Sequence, residues 1–76
     1  MRNGDIVYLA RAISACGIYE VLELKIVTVA DNYMIGTDVE TKTSFPFSKD
    51  DINKRVFTSY EEAKKTVEIL RKEKTK

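Results

Sequence analysis

The sequence predicts an α+β, mostly β domain, in which about five short antiparallel strands precede one C-terminal helix. Three observations predict it. Residues 5–57 hold short β-branched and aromatic runs, broken at close intervals by Gly, Asn, Asp and Pro. Residues 60–73 then carry apolar side chains at helical spacing. No strand–helix–strand alternation occurs, so a doubly wound parallel sheet is excluded. Seventy-six residues supply one core and not two. Five strands around one such core are expected to curl into a small SH3-like antiparallel barrel, with the barrel over about 4–57, the helix over about 60–73 and a frayed basic tail at 74–76.

Asn3-Gly4 is a turn signal, and Asp5 to Ala10 reads as the first strand. Arg11 to Gly17 is small and mixed, and it reads as a long loop between the first two strands, with Gly17 able to take a positive φ. Tyr19 to Val29 is the clearest strand, because Leu22, Leu24 and Ile26 alternate with Glu23 and Lys25. The parity then changes, and Val27 and Val29 become the apolar pair. Such a slip marks a β-bulge or bend. Ala30-Asp31-Asn32 turns into a third strand at Tyr33–Thr37, and Asp38-Val39-Glu40 forms a polar hairpin tip.

Thr41 to Phe47 is a fourth strand, and Pro46 confines it to an edge or a strand end. Ser48 to Asn53 is a turn or short helical loop, and Lys54 to Phe57 is a brief fifth strand. Ser59 with Glu62 has the spacing of a capping box that opens the helix. At 100° per residue, Tyr60, Ala63, Val67 and Leu70 fall within about an 80° arc and should pack on the barrel. Ile69 projects to the opposite, charged side.

Thirteen basic and twelve acidic residues nearly balance, which argues against a cationic nucleic-acid coat protein. The balance is uneven along the chain: residues 1–53 carry five basic and eight acidic groups, and residues 54–76 carry eight and four. There is no apolar run long enough to span a bilayer and no secretory leader pattern at the N-terminus. Cys16 is the sole cysteine, which fits a reducing compartment, so a cytoplasmic location is expected.

The segment Thr43-Ser44-Phe45-Pro46-Phe47-Ser48-Lys49-Asp50-Asp51-Ile52-Asn53-Lys54-Arg55-Val56-Phe57-Thr58-Ser59-Tyr60-Glu61-Glu62-Ala63 resembles a type of small bacteriophage and prophage protein, as does the opening Gly4-Asp5-Ile6-Val7-Tyr8. Those proteins look like short β-barrels that end in a D-I-G-K-x-V-F turn and strand, then a T-x-E-E-A helix start. Asn53 stands where Gly is usual, and Asn also tolerates a left-handed turn. The resemblance covers about two-thirds of the chain and carries no assigned chemistry. It implies a phage or prophage origin, action in the bacterial host cytoplasm and an accessory role toward the host.

The chemistry of an enzyme is hard to assemble from these residues. There is no His, so the commonest general base at neutral pH is missing and His-based zinc sites are excluded. Cys16 lies among Ala15, Gly17 and Ile18 and reads as a small buried hydrophobe. Asp50-Asp51 reads as a turn cap before it reads as a Mg²⁺ ligand pair. The expectation is a non-enzymatic binding protein with no cofactor or metal.

Two candidate surfaces follow. Tyr19, Lys25, Tyr33, Lys42 and Arg55 would make a basic face with aromatic residues for nucleic acid, aided by Arg71, Lys72 and Lys74. Asp38 and Glu40, with Asp50 and Asp51, would make an acidic patch that mimics phosphate charge on a partner protein. The long loop at Arg11–Gly17 is a further candidate contact. The expected partner is a protein, with nucleic acid as the alternative, and no membrane. Self-association stays open, with Ile69 as its candidate contact. An inhibitor of a bacterial antiviral defence system is the most specific version of this expectation.

Overall fold

The computed structural model of the chain describes residues 2–74. Five strands form: β1 (Ile6–Ile13), β2 (Ile18–Val29), β3 (Tyr33–Asp38), β4 (Ser44–Ser48) and β5 (Val56–Phe57). The helix α1 (Tyr60–Lys74) follows. The strands make one antiparallel sheet in the order β4-β3-β2-β1-β5. The sheet curls into a half-barrel with α1 on its outside. The fold is thus the mostly β α+β class that the sequence predicts, with an SH3-like strand arrangement.

The curl has local causes. The β2–β3 register slips between Ile26 and Thr28, where the apolar parity of the sequence changes. Gly36 in β3 lies so close to β2 that a Cβ there would stand 2.9 Å from the Leu24 Cβ. Pro46 sits in β4, which forms one end of the sheet, so its missing N–H interrupts no interior ladder. Asn53 takes a left-handed φ of 67°, which reverses the chain into β5.

Cross-strand partners share a face, and the register sorts the side chains. Val7, Leu24, Ile26, Met34, Phe47 and Val56 fill the inside of the curl, flanked by Leu9, Leu22, Phe45 and Ile52. Full burial of a side chain such as Leu24 or Ile26 contributes about 1.5–3 kcal/mol. The opposite face carries Ala10 and Phe57, with Tyr8, Tyr19 and Val21, and α1 covers it with Ala63 and Val67.

Several expectations are corrected. The Arg11–Gly17 segment is no long loop. β1 runs on to Ile13, a single 3-10 turn spans Ser14–Cys16, and Gly17 closes it at φ 68°. Pairing along the whole of β1, against Ile18–Lys25 of β2, overrides the weak strand propensity of Ala12. Cys16 is exposed on that turn and not buried. The helix stripe is buried only at its middle. Ala63 and Val67 are covered, whereas Tyr60 is 51% and Leu70 38% exposed. Among the described residues the capping box is made by Ser48 and Asp51 around the 3-10 turn Lys49–Asp51, and not by Ser59 and Glu62. The shorter Asp side chain suits that tighter turn. Of the expected frayed tail, Lys74 ends the helix, and Thr75 and Lys76 lie outside the described residues. No helix among the described residues is long and apolar enough to cross a membrane.

Candidate functional site

β3 ends at Asp38, and its register opposite Leu24 turns the Asp38 side chain inward. Asp38 is only 6% exposed, and its carboxylate is hydrogen-bonded. Its Oδ1 accepts the amides of Glu40 at 2.7 Å and Thr41 at 3.2 Å. Its backbone amide donates to the Thr43 carbonyl, and its carbonyl accepts the Lys42 amide. Asp38 is therefore the clasp of the β3–β4 hairpin, a locally bonded Asx turn. Lys42 adopts a left-handed φ of 63° to complete it. The Val39 amide donates to the Glu23 carbonyl at 3.2 Å, which ties this turn to β2.

That tie brings Glu23, Asp38 and Glu40 to one cleft of about 210 Å³. Its other wall is aromatic. Tyr8 projects from β1 opposite Glu23, and Tyr60 stands at the first position of α1. The two rings meet edge to face, with centroids 5.7 Å apart and planes at 82°. A corner of two tyrosine rings beside carboxylates is a receptor for positive charge, since the ring faces carry negative quadrupole density. Among the described residues no three acidic or cysteine side chains converge closely enough to hold a metal ion. The chemistry of these walls suits a cationic group, such as a guanidinium or ammonium side chain.

The structure brings together part of each expected surface and disperses the rest. Asp38 and Glu40 share the cleft, but Asp50 and Asp51 lie beyond the other end of β4, roughly 16 Å away along the strands. Asp51 is occupied there: its Oδ2 accepts the Ser48 amide at 3.1 Å, and its Oδ1 stands 3.5 Å from the Arg55 Nε. The basic and aromatic set does not form a face. Tyr19 and Tyr33 lie at opposite ends of the sheet, roughly 30 Å apart along β2. Tyr19 packs under α1, and its hydroxyl is buried without a partner among the described residues. Tyr33 is exposed, and Lys25 points from mid-β2 beside Thr37. Lys42 lies on the hairpin turn, while Arg55 borders a separate groove at the barrel mouth. Arg71 and Lys72 are exposed near the helix C-terminus, and Ile69 is 57% exposed, as its position on the helix wheel requires.

Sequence reasoning missed Glu23, Tyr8 and Tyr60. Glu23 read as an ordinary polar position of an alternating strand, and Tyr60 as core. Only the β1–β2 register, which sets Tyr8 against Glu23, could have joined them. Compared with family models, curated proteins and solved structures, the chain matches none.

Proposed function

We propose that the chain is a non-enzymatic accessory protein of phage or prophage origin. It acts in the bacterial cytoplasm and binds a basic surface of a host or phage protein. The observation that carries this reading is the cleft that the exposed Glu23 and Glu40 share with the Tyr8–Tyr60 corner, above the turn clasped by Asp38. Carboxylates gathered in one cleft can stand in for the phosphates of a nucleic acid and occupy a site built for them. Inhibition of an antiviral defence protein is the narrowest form of the proposal. The resemblance of residues 43–63 to small phage proteins supports the origin. The competing nucleic-acid reading draws less support, because its tyrosines and cations are dispersed over the sheet.

The test is capture of partners from nuclease-treated bacterial lysate, with the wild type and with the double variant Glu23→Gln/Glu40→Gln. Both glutamates are exposed, so the fold should tolerate the change. A protein partner that survives nuclease and is held roughly fivefold more weakly by the double variant supports the proposal. Capture that vanishes with nuclease, or that ignores the substitutions, contradicts it.

A further inference from the structure

The second groove, of about 230 Å³, lies along β1 from Leu9 to Ile13. Consecutive strand residues point to opposite faces of a sheet. A cavity lined by every residue from Leu9 to Ile13 therefore lies on the edge of the strand and not on either face. β5 covers this edge only as far as Ala10. Tyr8 pairs with Phe57 and Leu9 with Val56, and the Ala10 amide donates to the Arg55 carbonyl at 2.7 Å. There the cover stops. The Arg55 amide turns back to the Asp51 carbonyl at 2.9 Å, and left-handed Asn53 carries the chain away.

The backbone groups left behind can be named. The Ala10 amide points to β5, so by strand alternation the Ala12 amide and carbonyl point the same way. Among the described residues the Ala10 carbonyl and both Ala12 groups have no backbone or side-chain partner on this edge. An unpaired edge of this kind is a template for another strand. Its surroundings define what that strand must carry. Arg11 and Arg55 line the groove; each has one carboxylate at 3.5 Å, Glu20 for Arg11 and Asp51 for Arg55, and neither carboxylate lines the groove itself. Arg11 lies over the Phe45 ring at 5.9 Å, on the inner side of the sheet. On the outer side Leu70 borders the groove, half uncovered.

We infer that this edge binds an extended acidic segment of another protein by strand addition, in line with β5. A residue opposite Arg11 shares its face and should be Asp or Glu; a residue opposite Ala12 lies on the helix side and should be apolar, to cover Leu70. Pairing with a second copy of this chain is disfavoured, because an isologous β1–β1 edge would set the two Arg11 side chains close together. The site shares no lining residue with the acidic cleft, and the inference does not rest on that cleft.

The test uses amide NMR shifts of the intact chain titrated with acetyl-Val-Glu-Val-Glu-Val-amide and with its Lys counterpart. The acidic peptide should shift the amides of Ala10–Ile13 and bind about fivefold more tightly than the Lys peptide. Ala12→Pro removes the outward amide without breaking a β1–β2 bond, and it should abolish the shifts. Arg11→Glu should reverse the preference. Absence of shifts with either peptide, equal binding of both, or shifts that persist in Ala12→Pro would overturn the inference. So would a wild-type dimer, by light scattering, that becomes monomeric in Ala12→Pro, since the edge would then be pairing with itself.

Discussion

The two faces of this one sheet are buried in different ways. The inner face folds on itself, and six apolar side chains from all five strands pack there with at most 7% exposure. The outer face relies on α1, and two of its four buried residues are alanines. The helix is anchored at its middle and overhangs at Tyr60 and Leu70. A face closed by its own curvature needs no docking step and buries large side chains. A face closed by an added helix buries less per residue and leaves rims. Both candidate binding features lie at such rims: Tyr60 walls the acidic cleft, and Leu70 borders the open edge of β1.

The sharpest way to break this comparison is to cut the inner core. Leu24→Ala should cost about 2–5 kcal/mol in denaturant unfolding, because Leu24 is fully buried among neighbours that cannot collapse onto the void. Gly36→Ala should cost about 1–3 kcal/mol by the same assay, since the new methyl meets the Leu24 Cβ at 2.9 Å and both strands must give way. Val67→Ala, under the helix, should cost only about 1–2 kcal/mol and should raise helix exchange before it lowers barrel stability. If Val67→Ala costs as much as Leu24→Ala, the two faces are equivalent and the contrast fails. Tyr19→Phe should be neutral or stabilise by up to about 1 kcal/mol, because it deletes a buried hydroxyl with no partner. A loss of stability there would mean that the hydroxyl is satisfied in solution.

Much of this fold was legible before any coordinates. The strands, the parity slip after Ile26, the edge position of Pro46 and the left-handed Asn53 follow from chemistry local to each segment. The misread parts depend on distant partners. Ala12 is strand because β2 pairs with it, not because of its own propensity. Ser59-x-x-Glu62 and Ser48-x-x-Asp51 have the same spacing, and the chain around them decides which one closes. The acidic cleft was half legible: Asp38 and Glu40 are neighbours in sequence, but Glu23 joins them through the β2–β3 pairing that ends at Leu24–Asp38 and the bond from the Val39 amide.

Native-state hydrogen exchange tests the unequal burial most directly. Helix amides around Ala63–Val67 should exchange through an opening of lower free energy than the amides of Leu24, Ile26 and Met34, which should wait for global unfolding. One shared opening free energy for helix and barrel would contradict it, because α1 would then be as integral to the fold as the sheet it covers.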